Sequence, residues 1–140
     1  MTEKFNILGK YIKDISSETK DAETYIFVRS RIKKYKLTID IKSKPLKTKL
    51  VEVNTILKFE DKEEVSKKSY FEITYATIVK ISEEVKTKEE YEKILLCDVQ
   101  IKICSDIEKS FLDLLHNSGY TGFQLEKKLD FQELYNNRFN

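Results

Sequence analysis

Few groups in this 140-residue chain could carry chemistry: two thiols (Cys97 and Cys104), one imidazole (His116), and carboxylates scattered through lysine-rich sequence. A structural zinc site wants four ligands with cysteines paired at short spacing, and the chain offers neither. The two cysteines read as buried thiols, which fits a reducing cytoplasm. There is no Gly-rich phosphate loop, no G-x-S-x-G and no H-E-x-x-H, and only 3 glycines with which to cradle a phosphate. No cofactor is implied, and an enzyme ranks last among the functions considered. His116 follows an apolar helical stripe, where a histidine interacts favourably with the helix end.

What remains is binding chemistry. In KYIKDISSE, residues 10–18, Asp14 and Glu18 stand four apart on an extended segment. They therefore share one face, roughly 13 Å apart. Such acids either solvate a sheet or meet a basic partner.

Stepping along the chain shows which elements must hold these groups. The first half has the period of strands. In residues 5–15, Phe5, Ile7, Gly9, Tyr11 and Ile15 fall on one face with Asn6, Lys10 and Asp14 opposite. Residues 35–42 alternate cleanly, Pro45 marks a break, and residues 49–60 alternate again. The charged run at 60–68 is a turn, and SYFEITYATIVKI, residues 69–81, is a β-branched and aromatic fourth strand. The longer passage at 19–34, with Tyr25, Ile26, Phe27 and Ile32, either covers a core edge or grips a ligand.

The second half switches to helical spacing. Thr87 with Glu90, Ser105 with Glu108, and Asp130 with Glu133 each have capping-box spacing. Ile107, Phe111, Leu114 and Leu115 form a stripe that ends at Gly119, and Phe131, Leu134 and Tyr135 mark a short last helix. The fold class is therefore α+β, a four-stranded antiparallel sheet with C-terminal helices packed on one face, in a single domain spanning 1–140.

Charge excludes further classes. The chain is 36% charged, yet 26 basic residues nearly cancel 24 acidic ones for a net +2. A nucleic-acid binder gathers a larger basic excess, so KKYK (33–36) and KSKPLKTK (42–49) read as a solvated rim. No apolar leader follows Met1 and no run approaches a membrane span, so neither export of this chain nor membrane insertion is expected.

Several phrases in this order resemble the SecB family of protein-export chaperones. FNILGKYIKDISSE resembles its first strand, with Tyr11, Lys13, Asp14, Ile15, Ser16 and Glu18 on the Y-x-K-D-I-S-x-E phrase. YKLTIDIK resembles the second strand, and FEITYATIVKI the fourth, at Glu72, Ile73, Ile78 and Ile81. Gly119 followed by Phe131, Leu134 and Tyr135 resembles the connecting loop and final helix. The resemblance runs from Phe5 to Arg138. It departs at Ala76 and Thr77, where the family has glycines, and in GYTGFQLEKKLDF, which lacks the family's prolines.

The resemblance implies an ATP-independent holdase of unfolded polypeptides, assembled as a homotetramer from a dimer of dimers. It places Asp14, Glu18, Tyr70 and Glu72 at positions that contact SecA, the translocase motor. It implies a client groove with Phe27, Ile32, Tyr35, Tyr120, Phe123 and Leu125 as its apolar residues. The alternatives are a SecB-like chaperone dedicated to one client, such as an antitoxin, and an adaptor module without holdase activity.

Overall fold

The computed structural model describes residues 4–125 and 129–138. Four strands, β1 (Phe5–Glu18), β2 (Lys36–Lys47), β3 (Leu50–Glu60) and β4 (Tyr70–Ile81), form one antiparallel sheet in the order β1-β4-β3-β2. Helix α1 (Ala22–Arg31) and a 3-10 turn (Ile32–Lys34) lie in the crossover between the two edge strands. The helix starts where Asp21 Oδ1 accepts the Thr24 N–H at 2.8 Å, an ordinary N-cap.

β4 is the centre of the fold. Phe71, Ile73, Tyr75, Thr77, Val79 and Ile81 are buried on one face, against helix α3 (Val99–Asn117). Val99, Ile103, Ile107, Phe111, Leu114 and Leu115 return the contact from the helix, at the i, i+4 spacing of one face. Among the described residues no helix covers the other face of the sheet. Ala76 is nonetheless fully buried there, because its register neighbours are Tyr11 on β1 and Asn54 on β3.

Three expectations are corrected. The faces of β1 are not those of a regular strand, because irregularities at Ile7/Gly9 and Ile12/Asp14 each insert a residue. The first turns Lys10 toward the helices, where its Nζ meets Asp106 Oδ2 at 2.7 Å, and turns Tyr11 outward. The second returns Ile15 to the helix side and leaves Asp14 on the outer face. Pro45 does not end its strand either. β2 is an edge strand, whose outward side has no ladder to lose, so it runs through Pro45 to Lys47 before a tight turn at Lys49 (φ 65°).

Ser105 caps nothing. Helix α2 (Lys88–Lys93) continues through a π-helical segment (Ile94–Asp98) into α3, leaving Ser105 in mid-helix. The wide turn shifts the phase of the apolar residues, which hides the continuity from a 3.6-residue reading. Gln100, buried beneath the π segment, bridges its own Leu95 carbonyl (3.1 Å) and the Thr55 hydroxyl of β3 (2.7 Å). The other two caps form. The Glu90 N–H reaches Thr87 Oγ1 at 3.1 Å, and the Glu133 N–H reaches Asp130 Oδ1 at 3.0 Å, opening α4 (Phe131–Arg138). Cys97 is buried and Cys104 half-buried, and neither forms a disulfide.

Candidate functional site

The groove begins with the crossover. Tyr25, Arg29 and Lys33 recur every fourth residue, so one side of α1 and its 3-10 extension forms a wall. Tyr35, Lys36 and Leu37 carry that wall onto the start of β2. Facing it is the loop 119–125, and the cavity between them measures about 870 Å³. Phe59 of β3 joins the floor. Its ring lies 5.4 Å from those of Tyr35 and Phe123 and 5.1 Å from that of Phe111. Edge-to-face and tilted contacts of this kind make a rigid apolar base.

Polar contacts fix the walls. Arg31 donates to both Asp61 oxygens, at 2.9 and 3.3 Å, and to Glu63 at 2.8 Å, clamping α1 onto the loop after β3. The guanidinium holds the Asp61 carboxyl below the usual carboxylate range. Tyr35 Oη accepts the Ser69 N–H at 2.9 Å, and burial pushes this phenol's pKa upward. Tyr25 donates to the Gly119 carbonyl at 2.7 Å, and the Phe123 carbonyl accepts from His116 Nε2 at 2.9 Å. His116 therefore holds the loop rather than only facing the helix end. Gly119 has φ +106°, and a Cβ there would stand 2.6 Å from the Tyr25 ring, so glycine alone fits.

Five of the six apolar residues named from the sequence converge on this groove. Ile32, Tyr35 and Tyr120 are buried in it, while Phe123 and Leu125 are half-buried along it. Phe27 does not line it. Its ring packs under the Arg31 guanidinium, 5.7 Å from the centroid. Tyr25, Arg29, Lys33 and Phe59 join those five, and the i, i+4 spacing of the first three becomes legible only with 19–34 helical.

The acids share a surface on the outer face. The register pairs Asp14 with Thr74, Ser16 with Glu72 and Glu18 with Tyr70, so Asp14, Glu18, Tyr70 and Glu72 point the same way at one end of the sheet. Glu72 lies 3.7 Å from Lys58, whereas Asp14 and Glu18 are exposed without a partner among the described residues. A different carboxylate is built into this face. Glu52, only 9% exposed, accepts from Lys13 (2.7 Å), Asn54 (2.9 Å) and Tyr11 (3.1 Å). The Lys13 hydrogen bond and then the Asn54 amide pull its pKa down to about 2. Among the described residues no His, Cys, Asp and Glu cluster could hold a metal, and no helix is long and apolar enough to cross a membrane.

The whole chain, residues 1–140, matches the family described as Preprotein translocase subunit SecB. The chain belongs to the SecB family. A SecB protein-export protein of Pelagibacter ubique (strain HTCC1062) is 59% identical over 140 residues, covering 100% of both chains. The fold is similar to that of a SecB-like chaperone of Mycobacterium tuberculosis, solved with a ChAD peptide from an antitoxin. The TM-score is 0.65 at 11% identity, over 89% of this chain and 90% of that one. Family and relative together place this SecB-family chain in protein export.

Proposed function

We propose that the protein is an ATP-independent holdase that takes exposed apolar stretches of unfolded polypeptides into the groove between α1, the start of β2 and loop 119–125. The observation that carries this reading is the aromatic floor at Tyr35, Phe59 and Phe123 under a cavity of about 870 Å³, open along an edge strand. Unfolded chains share apolar side chains and free backbone. An apolar trough beside unpaired strand groups answers both. Ile32, Tyr120 and Leu125 complete its apolar lining.

Assembly follows from what one protomer leaves uncovered. Leu8 (55% exposed), Tyr11, Ile12 and Ile15 stand exposed on edge strand β1, and Ile101 (50%) on α3. A free strand edge with that many apolar side chains suits pairing between copies, in keeping with a homotetramer built as a dimer of dimers. Asp14, Glu18, Tyr70 and Glu72 are the proposed contact for SecA in the cytoplasm, where opposite charge on the partner would set orientation and association rate. The alternative of a dedicated client is favoured by the antitoxin peptide held by the structural neighbour.

The test is suppression of aggregation of a chemically unfolded protein, without nucleotide, alongside sedimentation velocity. The holdase reading expects turbidity to fall as the tetramer is added in stoichiometric amounts. Unhindered aggregation, or a clean monomer at micromolar concentration, would overturn it. Co-purified proteins identified after native pull-down separate the two client readings: many unrelated precursors, or one.

A further inference from the structure

We propose that the groove selects unfolded segments whose apolar residues are flanked by aspartate or glutamate. This rests on the groove being the client site and specifies what it accepts. Among the described residues the lining includes three cations, Arg29, Lys33 and Lys36, and not one carboxylate. All three are exposed, and among the described residues none has a hydrogen-bond or ion-pair partner. Arg31 of the same helix is instead paired, with Asp61 and Glu63. Among the described residues the three cations on the groove's rim are thus left uncompensated.

Position makes that charge selective. Arg29 and Lys33 are one helical turn apart on the same wall, and Lys36 opens edge strand β2 beside them. The facing loop is neutral at Thr121, Gly122 and Gln124, so none of its described residues cancels the field across the groove. A concave site over a low-dielectric aromatic floor strengthens that field relative to open surface. An extended occupant alternates its side chains. Apolar residues can therefore face Phe59 and Phe123 while intervening carboxylates reach the cationic rim. Lysine- or arginine-flanked segments meet like charge and are disfavoured.

The experiment uses the full chain and three fluorescent peptides with the same leucine, phenylalanine and valine residues, flanked by glutamate, glutamine or lysine. Anisotropy titrations should show the glutamate peptide binding at least about fivefold tighter than the lysine peptide, with the gap narrowing as salt rises. Reversal of the rim (R29E, K33E, K36E) should invert the order. Neutralisation (R29Q, K33Q, K36Q) should collapse the difference between the glutamate and lysine peptides. Far-UV circular dichroism checks that both variants fold. If the glutamine peptide binds the parent but the flanks make no difference, or if the reversed rim keeps the parent's order, the selectivity is wrong and the groove stands. If no peptide binds the parent and an unfolded protein aggregates unhindered, the groove reading falls with it. An oligouridylate binding the parent as tightly as the glutamate peptide would assign the cations to nucleic acid and overturn the proposal.

Discussion

The groove and the acid-bearing outer patch sit back to back at the same end of one sheet. The register row Ser17–Phe71–Phe59–Leu37 lies on the helix side, where Phe59 and Leu37 reach the groove. One residue along, Glu18 pairs with Tyr70 on the outer face. The pleat alone separates an aromatic, cation-rimmed surface from one carrying unpaired acids. They also differ in how they are held. The groove's walls depend on a clamped helix and a positive-φ glycine, whereas the patch stands on hydrogen-bonded strands and needs no further support. Damage should therefore spread through the groove and stay local on the patch.

The largest expected effect is on the clamp. Asp61 is 4% exposed, so Asp61→Ala leaves the Arg31 guanidinium with Glu63 alone and should cost about 2–3 kcal/mol in urea unfolding. It should also weaken binding of an unfolded client, because α1 is no longer fixed to the loop after β3. Unchanged stability together with unchanged client binding would show that the groove does not depend on this pair.

Next comes Gly119→Ala. The backbone there is left-handed, and the new methyl collides with the Tyr25 ring, so a loss of about 2 kcal/mol is expected, with client binding reduced. A combined Tyr25→Ala, Gly119→Ala variant removes the collision but keeps the backbone strain, and thermal denaturation of the two should separate these causes. A single variant as stable as the parent would mean the loop shifts freely.

Glu52 sharpens the contrast from the outer side, where three hydrogen bonds hold its carboxylate. Its folded value of about 2 lies below its ordinary 4.5. It therefore contributes stability that is full above the ordinary value and is lost as pH falls through the folded one. With a solvent-exposed lysine as its main partner, Glu52→Gln should cost about 1 kcal/mol at neutral pH and flatten the acid limb of the stability curve. Urea midpoints of parent and variant across that window check the sign; parallel curves would refute it.

The smallest effect on stability belongs to the patch itself. Asp14→Lys with Glu18→Lys should shift unfolding by no more than about 0.5 kcal/mol, since both side chains are exposed and unpaired. Client binding should be retained, while titration with purified SecA should show binding lost, and the parent's binding weakening with salt. Equal binding by parent and variant would reduce the two carboxylates to solvation.

The sequence by itself determined whatever follows from local period and local hydrogen bonding. The alternation of 70–81 was enough to make β4, and the Thr87 and Asp130 caps marked helix starts, because each depends on residues within one turn of one another. It also placed Asp14 and Glu18 on a common face, since no bulge falls between them. Tertiary structure decided the rest. Two inserted residues in β1 moved Gly9, Lys10 and Tyr11 to the opposite face and then restored Ile15, a change that only pairing with β4 can fix. The π turn restored as one helix what the apolar phase had divided at Ser105. The groove could not be read along the chain, because its floor and walls come from α1, β2, β3 and the loop at 119–125, which meet only when the crossover folds over the end of the sheet.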